Sequence, residues 1–201
     1  MSERLDQVDI PRLSQMAAEH DWLELGECIG SGPTRFVNVE LHVEAYAARH
    51  GEGEPVRLPG PWQTHVALAR GLACQPLVQL TPCDGCLPVS GNISGFATGH
   101  HPARSQAVPA GLVCYADRWD PTRLTLAWVL FQVARIVGGE VLSLEAHPLS
   151  LAGRDFQAAA FARGDLPTHV VSTPRWDLLF LQPASDSLAS SGIEFLDEPL
   201  T

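Results

Sequence analysis

No lysine occurs in this chain, and all 13 of its basic residues are arginine. That absence excludes Schiff-base catalysis, pyridoxal phosphate anchoring, a phosphate loop ending in Gly-Lys-Ser/Thr and kinase-type lysine pairing. Positive charge is scarce altogether: 23 acidic side chains give a formal net charge of −10 and a pI of about 5.1. A surface of that sign repels polyanions, so no nucleic acid and no anionic membrane is expected as a partner. Long apolar runs are missing too, since the longest, Leu124 to Val137, is interrupted by Gln132 and Arg135 and is too short to span a bilayer. Met1 to Asp9 is charged with no apolar stretch behind it, which does not read as a secretory leader, and the expected location is cytoplasmic. Five cysteines without a sign of export argue against a disulfide framework, leaving core residues, metal ligands or nucleophiles as their roles.

What is present suits a folded domain. The composition is 45% hydrophobic and 18% charged over 201 residues, enough to bury one core. The expected organisation is a single α/β domain over 1–183, with a loose, acidic and Ser-rich tail over 184–201. Asp9 ahead of Ile10-Pro11, with Leu13, Met16 and Ala17 at helical spacing, predicts a first helix ending near His20. Strands are predicted over Trp22 to Ile29, Thr34 to Leu41, Pro76 to Thr81, Gly111 to Ala116, Val141 to Ala146, His169 to Thr173 and Trp176 to Leu181. Between them, Glu44 to Arg49 is good helix material, Gly51 to Pro61 reads as a loop, and Trp62 to Ala73 reads as a helix. Leu87 to Ala110 reads as a long loop, Asp120-Pro121 as the start of an apolar helix running to Val137, and Asp155 to Arg163 as a further helix. Alternating strands and helices point to a three-layer α/β/α arrangement with a mixed central sheet.

Chemistry concentrates at Pro82-Cys83-Asp84-Gly85-Cys86. Two cysteines separated by two residues can turn both sulfurs toward one tetrahedral metal, at about 2.3 Å from zinc. The same Asp-Gly could instead make only a hairpin turn between two small core residues. A metal needs further ligands, and two sets compete. His100 or His101, with Cys114, would close a structural site. His42, with Glu44 two residues on, would leave a fourth position open for water, as catalytic zinc requires.

His42-Val43-Glu44 followed by Pro82-Cys83-Asp84-Gly85-Cys86 resembles the H-x-E…P-C-x-x-C signature of the cytidine deaminase-like superfamily of zinc deaminases. The resemblance implies a cytidine deaminase-like fold, zinc held by His42, Cys83 and Cys86, and Glu44 as the proton shuttle between the metal-bound water and the leaving amine. It implies a zinc-dependent hydrolytic deaminase whose small-molecule substrate is an aminated heterocycle, a base or nucleoside. The competing expectation is a noncatalytic binding or immunity-type protein, with structural zinc at Cys83 and Cys86 completed by His100, His101 or Cys114.

Overall fold

The computed structural model describes residues 2–30, 34–49, 52–69, 71–96, 108–116, 118–142, 148–167 and 171–181. They form a mixed α and β structure with two sheets, in which every strand pairing is antiparallel. The mixed sheet expected from the sequence is therefore replaced by antiparallel ladders, which short connections can join without crossover helices. Strands β1 (Leu23–Ile29), β2 (Thr34–Leu41), β5 (Trp62–Ala69), β6 (Leu77–Leu80) and β8 (Leu112–Val113) make a five-stranded sheet in the order β1-β2-β5-β6-β8. A three-stranded sheet has the order β4-β3-β7, from β3 (Ala45–Arg49), β4 (Glu52–Leu58) and β7 (Cys86–Pro88).

Three expectations are overturned in the middle of the chain, each for a physical reason. Residues 45–49 are a strand, because β4 and β7 bond to both edges of this segment and tertiary pairing outweighs the helix propensity of Ala-Tyr-Ala-Ala-Arg. The Gly- and Pro-containing segment 52–58 is β4, an outer strand of its sheet, where proline is tolerated because among the described residues no strand pairs with its far side. Trp62, Thr64, Val66 and Leu68 are buried while Gln63 and His65 are exposed, so 62–69 carries the period of two that makes it β5. The stretch expected as helix survives only as a short 3-10 turn at Gly71–Ala73.

Helices α2 (Ile10–Glu19) and α3 (Leu126–Val137) belong with the five-stranded sheet to a single apolar core. Leu13, Val37, Val66, Val78 and Leu130 are each fully buried there. Ahead of α2 the chain is already helical, through the single turn α1 (Ser2–Arg4) and a π turn over Leu5–Asp9. Asp9 makes no cap to α2. Instead its carboxylate, wholly buried, accepts from the Leu126 N–H at 2.8 Å and from Arg4 Nε at 3.0 Å. Arg4 also donates to the carbonyls of Pro121 and Leu124, so one ion pair clamps the entrance of α3 to the N-terminus.

Helix α3 starts later than Asp120-Pro121 suggests. Asp120 spends its side chain on a local turn, accepting from the Thr122 N–H at 2.9 Å and its hydroxyl at 2.6 Å, and Thr125 becomes the cap. The buried Thr125 hydroxyl accepts from the Trp128 N–H and lies within donating distance of the Leu178 and Leu179 carbonyls, 2.7 and 2.9 Å away. Thr125→Ala is expected to cost about 1–2 kcal/mol, measured by urea unfolding, while Thr125→Ser recovers most of it by keeping the oxygen.

Helix α4 (Leu151–Ala162) is capped by Ser150, and Trp176–Leu179 forms the helical turn α5 rather than a strand, with Trp176 stacked on Phe180 at 4.0 Å between centroids. Val141 and Leu142 are not in a strand. Val171 to Thr173 are not in a strand either, while the rest of the expected strand to Ala146, His169 and Val170 of the next one, and the tail 184–201 lie outside the described residues. No helix among the described residues is long and apolar enough to cross a membrane.

Candidate functional site

His42 follows β2 directly, and its backbone N–H donates to Trp22 O at 2.9 Å. The connector from His42 to Glu44 is held by the fully buried Trp62, whose indole N–H donates to Val43 O at 2.8 Å. The expected metal ligand His42 and the expected proton shuttle Glu44 each have carboxylate or guanidinium partners there. His42 Nε2 lies 3.4 Å from Glu24 Oε2 and 3.7 Å from Glu40 Oε2. Glu44 pairs at 2.9 Å with Arg57, whose guanidinium sits over the Tyr46 ring and also donates to Asp165 O at 2.7 Å.

Cys83 and Cys86 stand elsewhere, across a hairpin at the end of β7. Burial, and after it the Asp84 charge, push the Cys83 thiol up. Among the described residues the one group of three or more possible metal donors with ligand atoms within 4.8 Å of each other is Glu24, Glu40 and His42. The set His42, Cys83 and Cys86 is thus not brought together, nor are Cys83, Cys86 and Cys114. Cys114 instead sits in the segment that bonds through its N–H to Asn92 O, and His100 and His101 lie outside the described residues. The described residues offer zinc two thiolates and no third donor there, whereas the ion takes four ligands in a structural site and three with a water in a catalytic one.

A cleft of about 480 Å³ lies between the three-stranded sheet and α4, bounded by Leu87, Val89, Ile93, Phe96 and Phe156. Among the described residues its lining includes no carboxylate and no histidine. The feature that does gather polar groups is the face of the five-stranded sheet opposite α2 and α3. Register puts its residues in rows, because directly paired residues point to the same side.

One row is apolar: Ile29 pairs with Phe36, Phe36 with Ala67 and Ala67 with Leu77. Ile29, Phe36 and Leu77 are exposed to 48%, 43% and 52%, a run of large side chains that hydrophobic burial leaves in water. The next row is Asn38, His65 and Gln79. His65 is held at both ring nitrogens, with Nδ1 2.7 Å from Asn38 Oδ1 and Nε2 2.8 Å from Thr81 Oγ1. The third row is Glu24, Glu40 and Gln63, in which Gln63 donates to Glu40, with His42 alongside.

Two glutamates directly opposite each other on neighbouring strands repel, at a cost of up to about 1 kcal/mol. His65 and the apolar row are not evident as a site from motifs. The signal for them is parity: Phe36 falls on the outward side of a strand whose Val37, Val39 and Leu41 are all inward. Comparison of the chain with protein-family models, with curated proteins and with solved structures finds no match.

Proposed function

We propose that this chain is a noncatalytic binding protein, and that the open face of the five-stranded sheet receives a protein partner carrying arginine or lysine beside an apolar patch. The observation that carries this reading is the face itself. Ile29, Phe36 and Leu77 are left exposed in one row while Glu24 and Glu40 are left opposed in another. The apolar row leaves hydrophobic surface in water, and the opposed carboxylates, bordered by His42 and Gln63, carry negative charge, so a cationic, partly apolar partner complements both. The face's described charged groups are acidic apart from the imidazoles, in a chain of net charge −10, so complementarity selects a basic partner and disfavours nucleic acid. A deaminase would need His42 and Glu44 beside the two cysteines, whereas His42 faces Glu24 and Glu40, and Glu44 is taken by Arg57.

The test uses a synthetic peptide of alternating arginine and leucine as the probe, with binding followed by calorimetry and the footprint by amide hydrogen exchange. Expected are protection of β1, β2 and β5, weaker binding in added salt, and a loss of about tenfold in affinity in Glu24→Arg/Glu40→Arg, since two exposed ion pairs are lost at up to about 1 kcal/mol each. Phe36→Asp, at an exposed position, is expected to weaken binding similarly without unfolding the chain. Protection confined to the α4 cleft, or affinity indifferent to the charge reversal, would overturn the proposal.

A further inference from the structure

The Cys83 and Cys86 pair is left without a role by the binding face, and its geometry carries one of its own. Asp84 and Gly85 both have positive φ, 50° and 74°, which makes a two-residue hairpin turn of the kind that matches strand twist. Cys83 and Cys86 therefore face each other across the turn, and they exchange both backbone hydrogen bonds: Cys83 N to Cys86 O at 2.9 Å and Cys86 N to Cys83 O at 2.8 Å. A directly opposed pair of that kind has its Cα atoms about 5.5 Å apart with both side chains on one face. A disulfide needs about 4.4–6.8 Å between Cα atoms, a range that includes the spacing of a directly opposed antiparallel pair such as this one.

We infer that Cys83 and Cys86 are a reversible dithiol–disulfide pair, oxidised by a small disulfide such as glutathione disulfide. The accessible and the shielded partner are distinguishable: Cys83 is half-buried, while Cys86 is buried and its thiol donates to Asp84 O at 3.8 Å. Cys86 lines a second cleft of about 360 Å³ together with Arg49, Glu54 and Asp84, so the shielded sulfur borders open space while Cys83, the less buried of the two, meets the reagent first. Arg49 Nη2 donates to Asp84 O at 3.3 Å, holding the turn against the neighbouring strand.

The exchange balances in two steps. Cys83 loses its proton to solvent and its sulfur attacks the glutathione disulfide, forming a mixed disulfide and expelling one glutathione thiolate, which takes up a proton. Cys86 then loses its proton, attacks the Cys83 sulfur and expels the second glutathione. Two S–H bonds of the protein become one S–S bond, and the two electrons leave on two glutathione thiols.

The test equilibrates the whole wild-type chain in glutathione buffers of increasing oxidised fraction, quenches in acid, alkylates, and maps the products by tandem mass spectrometry. The pair is expected to appear as a peptide two hydrogens lighter, unlabelled at both Cys83 and Cys86, in the wild-type chain and equally in Cys74→Ser, and dithiothreitol is expected to restore both labels. In Cys86→Ser the reaction is expected to stop at the mixed disulfide on Cys83. Alkylation of both thiols, or glutathione retained on both, in the fully oxidising buffer would overturn the inference. So would an oxidised form that disappears in Cys74→Ser, since the bond would then join Cys74 to one of the pair.

Discussion

Replacing Asp9 by alanine is expected to destabilise the fold by about 3–5 kcal/mol, the range for removing one partner of a buried ion pair. The loss reaches three elements at once: Arg4 is left beside α1 without its carboxylate, the Leu126 N–H at the start of α3 loses its acceptor, and the loop that Arg4 holds at Pro121 and Leu124 is freed. For a chain of this length that corresponds to a fall in Tm of roughly 10 °C, read by calorimetry. Asp9→Asn is expected to be markedly milder, because its amide oxygen can still accept from Leu126.

The same pair of variants gives a pH dependence with a defined sign. Burial raises the Asp9 carboxyl above its ordinary value, outweighing the Leu126 hydrogen bond and the Arg4 charge, which both lower it. A carboxyl whose folded pKa is raised binds its proton more tightly when folded. Its contribution is fully present below the ordinary aspartate range and is lost as pH rises through the raised value. Wild-type stability is therefore expected to lose a component between about pH 4 and the raised pKa that Asp9→Asn does not lose, measured by urea unfolding at a series of pH values. Identical pH profiles for the two proteins would show that the carboxyl is not destabilised by burial.

Gly111→Ala is expected to cost about 3 kcal/mol or more. Gly111 has φ +76° and a Cβ there would stand 2.2 Å from Leu80 O, the residue whose N–H donates to Gly111 O at 2.8 Å across the β6 and β8 pairing. A methyl group adds left-handed strain of about 1–2 kcal/mol and forces the last two strands of the sheet apart. Gly164 separates the two effects, since it has φ +74° but open space where a Cβ would sit. Gly164→Ala should show the conformational penalty alone, and equal losses at the two positions would refute the steric account.

Several elements were legible because one local pattern decided them. Thr34 to Leu41 alternates outward and inward throughout and is β2 as read; Asp84-Gly85 is a hairpin turn because few other dipeptides accept two positive φ values. The apolar periodicity of α3 was clear, yet its start was not. Asp120-Pro121 and Thr125 both carry cap chemistry, and the choice fell to Thr125 because Asp9 and the α5 carbonyls lie there to complete it. Ala45 to Arg49 has a local preference for helix that two flanking strands override, and β4 tolerates Pro55 because it is an edge strand among the described residues.

The site divides the same way. Sequence alone determined the acidic, lysine-free character of the chain, the hairpin turn between Cys83 and Cys86, and the inward and outward sides of β2, all of which depend on composition or on residues a few positions apart. Tertiary structure alone decided that His42 meets Glu24 and Glu40 rather than the cysteines, and that Ile29, Phe36, Ala67 and Leu77 fall into one row. The reason is register: which residues of β1, β2, β5 and β6 stand opposite each other is set by strand pairing between segments up to tens of residues apart, and a slip of one residue would have turned every one of those side chains to the other face.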